Sequence, residues 1–288
     1  MIDLERHLAE FGELGYTVIP NAVGTEHLTT LSRIMDQLTA DDQRRIYNIA
    51  DILGTHDEFL GLIDLPTVLP VVRQLLGDNI WVNHSHYNVN PPDDVVNPME
   101  RTRGYGWHRD GGVINEDLPK PGPLLSIKIA FYITDVIEPD SGQTYVITGS
   151  HKTGDKTPAN DELPDSAIPV CVPAGSALLF DRRMIHSIRS PNESDVTRKV
   201  VFIQYAYRWI CAVDAMTVEH LFDRCDPVRR QLLGLTPNVT VVDGAEGRSS
   251  RYYPGPRDIP LSNPPSDLGK RIVGFASRKI RQAVAKFR

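Results

Sequence analysis

Apolar residues recur at helical spacing from the start of the chain: Leu4, Leu8, Phe11 and Leu14 fall on one side of residues 3–14, and Gly15 supplies a stop. The β-branched run Tyr16-Thr17-Val18-Ile19-Pro20 predicts a short strand. Thr25 stands as the cap of a second helical pattern, Leu28, Leu31, Ile34, Met35 and Leu38, and a further helix is expected over 67–76, ending at Gly77. Each helix carries one apolar stripe, the pattern of a helix laid on the outside of a sheet.

From Ile80 the period changes. Strands are predicted over 80–89, 124–134, 144–148, 168–172, 177–180, 184–188 and 199–209, separated by turn signals such as Pro91-Pro92, Pro139-Asp140-Ser141-Gly142 and Pro173-Ala174-Gly175. Short strands punctuated in this way predict a mainly β fold with flanking helices, an antiparallel double-sheet jelly roll of the cupin-like kind. The expected organisation is one domain over 1–288, with a helical part at 1–79, the jelly-roll core near 80–210 and an irregular, partly helical part at 211–288. Within the last part, a helical piece is expected over 218–233 and a Pro/Gly-rich loop over 234–265. Residues 266–288 read as a basic amphipathic helix with Leu268, Ile272, Phe275, Ile280, Val284 and Phe287 near one side. Such a helix packs its stripe on its own domain or on a partner subunit, which would make an oligomer, or lies on an anionic membrane.

Composition narrows the class. With 41% hydrophobic and 24% charged residues the chain is an ordinary globular protein, and a net charge of −6 argues against nucleic acid as the main partner. Cys171, Cys211 and Cys225 show no Cys-x-x-Cys spacing, which suits a reducing compartment and argues against a thiolate metal site. The N-terminal residues lack a signal-like pattern, and no run of about 18 apolar residues occurs, so a cytoplasmic protein without integral membrane association is expected.

Chemistry enters at Trp107-His108-Arg109-Asp110. On an extended segment, residues i and i+2 leave the same face, so His108 and Asp110 point together and Arg109 points away. With 9 His and 25 Asp in the chain, about 0.8 His-x-Asp matches are expected by chance, so the spacing needs support from elsewhere. His186 supplies it, completing a 2-His-1-carboxylate facial triad that leaves one face of a metal open. Twelve positions on, across the turn 190–195, Arg198 is expected on an adjacent antiparallel strand, facing inward. An oxygenase that splits O2 needs two extra electrons. 2-Oxoglutarate supplies them while chelating iron, and its far carboxylate then needs a fixed, planar cation such as Arg.

These residues, together with the strand 129–135 and the segment Ser141-Gly142-Gln143-Thr144-Tyr145-Val146-Ile147-Thr148-Gly149-Ser150-His151-Lys152, resemble the phytanoyl-CoA dioxygenase family of Fe(II)/2-oxoglutarate oxygenases over roughly residues 10–210. Ser141 and Thr148 depart from the family's usual Asn-Gly and Pro-Gly-Ser-His pattern without touching a metal ligand. The resemblance implies a double-stranded β-helix core, iron held by His108, Asp110 and His186, and 2-oxoglutarate held by Arg198. It further implies cosubstrate contacts from Thr144, Asn88, Tyr105 and Lys128, with O2 as co-reactant and ascorbate as a candidate reductant. His84 and His86, two apart, could imitate a metal pair, and His151 reads as structural.

Asp110 occupies the position that halogenases of the family leave to a small residue, so hydroxylation, desaturation, epoxidation or cyclisation of a small organic substrate is expected in place of halogenation. Arg101 and Arg103, in the loop before the triad strand, suggest an anionic substrate bound under a lid. Two other classes compete. A metal-free jelly-roll binding module would have no reason to keep His108, Asp110, His186 and Arg198 together, and a zinc- or manganese-dependent isomerase would not need Arg198.

Overall fold

The computed structural model describes residues 2–98, 104–112, 118–187, 190–236, 240–244, 247–251 and 259–262. Arg101, Arg103, Ile188 and the basic stretch 266–288 lie outside the described residues.

The first helix, α1 (Leu4–Leu14), starts where the Asp3 carboxylate accepts from the Arg6 backbone N–H and buries Leu4, Leu8 and Phe11. It ends at Gly15, whose φ of 90° suits a residue without Cβ; an added Cβ would lie 2.6 Å from His151 Nδ1. The Gly15 carbonyl then accepts from the Asp181 backbone N–H at 2.8 Å, so the end of α1 is tied directly to the sheet. Strand β1 (Tyr16–Ile19) and helix α2 (Thr25–Leu38) follow. Gly24, not Thr25, is the N-cap of α2, and no side chain caps it. A short strand β2 (Tyr47–Ala50), helix α3 (Ile52–Thr55) and a 3₁₀ turn over Asp57–Leu62 are absent from the apolar pattern; helix α4 (Leu69–Leu76) is the one expected over 67–76.

The long strands are β3 (Ile80–Asn90), β4 (Ser126–Tyr132), β7 (Ala177–Asp181) and β8 (Arg198–Tyr207), with β5 (Thr144–Ile147) and β6 (Ala167–Val170) between. Six strands form one antiparallel sheet in the order β1-β7-β4-β8-β3-β2. β5 and β6 form a second, smaller ladder, widened by single bridges from Val146 to His186 and from His186 to His108. The result is mostly antiparallel β with flanking helices.

Burial on both faces explains the nearly continuous apolar texture of β4 and β8. Ile127, Ile129 and Phe131 of β4, with Val201, Ile203 and Tyr205 of β8, pack into the helical core. Ala130, Tyr132 and Val200 face the other way, into the space between the two sheets, where they meet Leu178, Phe180, Val146 and Met184.

Two predicted features are corrected. Residues 184–187 form no regular strand; His186 alone makes bridges, because the chain has just turned at Arg182 and Arg183. His186 and Arg198 therefore do not sit on adjacent strands: one belongs to the small sheet, the other opens β8 of the large sheet. Beyond residue 211, the helical piece is a 3₁₀ turn (Glu219–Arg224) followed by α5 (Pro227–Leu232), and the expected loop contains an antiparallel pair, β9 (Thr240–Gly244) with β10 (Gly247–Arg251). Among the described residues, no helix is long and apolar enough to cross a membrane.

The turn after β7 is held by a buried charge. Asp181, with a fully buried side chain, accepts from the Arg183 backbone N–H at 2.8 Å and from its guanidinium Nε at 2.9 Å. Arg183 also donates to the Gly122 carbonyl at 2.8 Å. Arg183→Leu strands that carboxylate, and a loss of about 3 kcal/mol of unfolding free energy is expected in urea titration. An unchanged transition midpoint would show that the pair contributes nothing to the turn.

Candidate active site

His108 and His186 exchange backbone hydrogen bonds in both directions at 3.0 Å, which sets their side chains beside one another with ring centroids 4.2 Å apart. Asp110 is positioned separately: its backbone N–H donates to the Arg182 carbonyl at 2.9 Å, and the residue lies in a turn after the His108 bridge. Arg109 points away as expected and donates to the carbonyls of Arg183, Asp155 and Ser150.

The imidazoles are oriented for metal binding. His108 Nδ1 lies 3.1 Å from the Gly106 carbonyl and His186 Nδ1 lies 3.0 Å from the Met184 carbonyl. A carbonyl only accepts, so each Nδ1 carries the proton and each Nε2 keeps its lone pair for a metal. Those Nε2 atoms stand 3.7 and 4.0 Å from Asp110 Oδ1, and one ligand atom from each of the three residues lies within 4.8 Å of the others. Burial, with His108 next, pushes His186 down to about 3, so its ring is in the neutral, metal-binding form. Burial alone would raise Asp110, but the Lys128 charge beside it outweighs burial and holds the carboxyl well below its usual range. Two imidazoles and a carboxylate converging in this way fit a facial triad. Among the described residues, this is the only cluster of three or more metal-type side chains.

Lys128 belongs to this end of the site. Its Nζ donates to Asp110 Oδ1 at 2.6 Å. The other end is built around Arg198, which is 4% exposed and donates to Asn88 Oδ1 at 2.5 Å. Asn88 is fixed in turn by donating to the Tyr47 carbonyl at 2.9 Å. The Arg198 guanidinium lies 5.8 Å from the Tyr132 ring centroid, and the Tyr132 hydroxyl donates to Thr144 Oγ1 at 3.2 Å. Gly142 passes so close that a Cβ there would lie 2.9 Å from Arg198 Cδ.

Of the predicted cosubstrate residues, Arg198, Asn88 and Thr144 therefore gather at one place and Lys128 at the metal ligands. Tyr105 joins neither group. It packs with Trp107 and Tyr145, and Tyr145 follows inward-facing Thr144 on β5, so Tyr105 covers the outer face of the small sheet. His84 and His86 stack on each other at 4.7 Å and take no part in the metal cluster. His151 is structural, its Nε2 meeting the Gly12 carbonyl at 3.3 Å. Tyr132 escapes sequence reasoning, its only signal being an aromatic residue at an inward phase of β4.

Comparison with known proteins places the chain. The family model for phytanoyl-CoA dioxygenase (PhyH) matches residues 11–200. The dioxygenase af480 of Aspergillus fumigatus is 23% identical over 271 residues, covering 88% of this chain and 83% of the relative. Among solved structures, HygX from Streptomyces hygroscopicus with nickel and 2-oxoglutarate bound shares 18% identity over 73% of this chain and 91% of its own, with a TM-score of 0.57. The epimerase SnoN in complex with Fe3+, alpha ketoglutarate and nogalamycin RO shares 17% identity over 70% of this chain and 83% of its own, at 0.55. The structural matches bear on the fold, which is the jelly roll of 2-oxoglutarate-dependent enzymes, and the sequence match bears on descent: the chain belongs to the phytanoyl-CoA dioxygenase (PhyH) family of iron- and 2-oxoglutarate-dependent oxygenases.

Proposed function

We propose that this oxygenase hydroxylates an unactivated C–H bond of a small organic substrate. The observation that carries the reading is the convergence of His108, Asp110 and His186 at one end of the inner wall, with Arg198 buried at the other. When bound, iron and 2-oxoglutarate supply the oxidising power: O2 gives one atom to succinate as CO2 is released and the other to the substrate, R–H becoming R–OH. The chain's own part is to hold and orient. The two histidines and Asp110 hold the metal, and Arg198, braced by Asn88, binds the distal carboxylate of the cosubstrate. Val200, Phe202, Ala130 and Leu178 line the wall between them and keep water from competing.

A groove of about 520 Å³ opens beside His108, walled by Trp107, Leu118, Lys120 and Lys156 among others. That volume suits a small molecule. Arg109 and Arg183 also border it, but both are committed to protein carbonyls and Asp181, so among the described residues its available cations are Lys120 and Lys156, with the single carboxylate of Asp155 on the same lining. This rim supports an anionic substrate.

The test is succinate release across a panel of acids, amino acids, acyl thioesters and natural-product scaffolds, with mass analysis of the product. A gain of one oxygen derived from labelled O2 is expected. A product lacking that atom, whether desaturated, cyclised or inverted at carbon, would replace hydroxylation with another outcome of the same hydrogen abstraction. The alpha-ketoglutarate-dependent epimerase among the structural matches makes inversion the first alternative to look for.

A further inference from the structure

We propose that His86 contacts the cosubstrate directly, its Nε2–H donating to the metal-chelating end of 2-oxoglutarate partway along the inner wall. The inference rests on the proposed function, in which the distal carboxylate lies on Arg198.

Strand register sets the position. Asn88, which binds Arg198, is followed two residues back along β3 by His86, about 6.6 Å nearer the metal end at the usual rise per residue. The next rank holds His84, Gln204 and Lys128, and Lys128 touches the ligand Asp110. Arg198 itself pairs with Asn90 and reaches Asn88 with its guanidinium, so the rank of His86 lies between that guanidinium and the metal ligands, one rank from Asn88. Across all six strands that rank reads Val18, Leu178, Ala130, Phe202, His86 and Ala50. His86 is the only polar side chain in it.

The ring can turn only one edge to a ligand. Its faces are covered by Phe202 at 4.4 Å, nearly parallel, and by His84 at 4.7 Å. Nδ1 is buried with no hydrogen-bond partner among the described residues, and Nε2 is absent from the buried orphans and bonded to no described residue. A proton on Nδ1 would be an N–H with no acceptor, the costlier kind of orphan, so the proton belongs on Nε2 and faces the cavity. Burial, then the charge of Lys128, lowers the ring's pKa well below its ordinary value, so it is neutral and keeps this single donor. A lone donor between two cations, in an otherwise apolar rank, is matched by an anionic oxygen of a ligand.

The experiment is anaerobic titration of the Fe(II) holoenzyme with 2-oxoglutarate, following the charge-transfer absorption of the chelated keto acid. His86→Phe keeps the ring stack on Phe202 and removes the donor; His86→Gln keeps a donor. In His86→Phe a 2-oxoglutarate Kd weakened about tenfold to a hundredfold and a shifted absorption maximum are expected, with partial return of both in His86→Gln and unchanged thermal unfolding in each. An unchanged Kd and maximum in His86→Phe overturns the proposal, including the case in which only the substrate KM rises, which would turn His86 toward the substrate. Absence of the absorption in the wild-type protein would instead overturn the cosubstrate reading beneath it.

Discussion

His108→Ala, Asp110→Ala and His186→Ala each bring substrate-dependent succinate release down to the level of metal-free protein, because, on the proposed reading, each removes one of the three ligands that would hold the metal. The three variants differ in what else they disturb. His108 is about a third exposed in its side chain, so its truncation leaves stability close to that of the parent. Asp110 is the partner of Lys128, whose side chain is 10% exposed, and Asp110→Ala leaves an ammonium buried without its counter-charge. A loss of about 3 kcal/mol in unfolding free energy is expected there, and Lys128→Met in the same chain should return most of it. Iron content by metal analysis, turnover and urea unfolding, measured on each variant, separate ligand loss from fold loss. Full turnover in any one variant would remove that residue from the triad.

How far the sequence reached depended on where a local pattern still holds. The long strands were legible because short runs of apolar, β-branched and aromatic residues bounded by turn signals mark them even where both faces are buried, as in Ile127, Ile129, Ala130, Phe131 and Tyr132. β2 was not legible: Tyr47 is buried and the next three residues are exposed, so four residues on an edge show no alternation at all. The strand expected over 184–188 failed for the opposite reason. Met184 and Ile185 are apolar and buried, yet the Asp181–Arg183 pair turns the backbone just before them, leaving His186 a single bridging residue. The His108-x-Asp110 spacing pointed correctly to a shared site although Asp110 sits in a turn, since the turn begins only after His108 has paired. Tyr132 and His86 were beyond reach for a shared cause. Which face of a strand looks inward is fixed by register with its neighbours, and register is a property of the folded sheet.

Arg198→Ala raises the KM for 2-oxoglutarate roughly 10- to 100-fold while moving the substrate KM little, the loss expected when a charge-assisted contact disappears from a buried site. The surroundings of the guanidinium make it specific for a carboxylate. Asn88 Oδ1 and the face of Tyr132 occupy two of its sides without neutralising it, and no carboxylate ion-pairs with Arg198 among the described residues. Burial lowers its pKa from the ordinary value, a cost that an anionic ligand offsets. Arg198→Lys should recover only part of the affinity, because one ammonium cannot reproduce the planar fork. Gly142 offers an independent check on geometry. Its φ of 77° and the 2.9 Å that would separate an added Cβ from Arg198 Cδ mean that Gly142→Ala must displace the arginine stem while leaving its charge in place. A rise in 2-oxoglutarate KM in Gly142→Ala, in the same direction as Arg198→Ala but smaller, is the expected result of steady-state kinetics at saturating substrate. If both variants keep the parent KM for 2-oxoglutarate, the distal carboxylate is held elsewhere, and Lys128 is the next cation along the same wall.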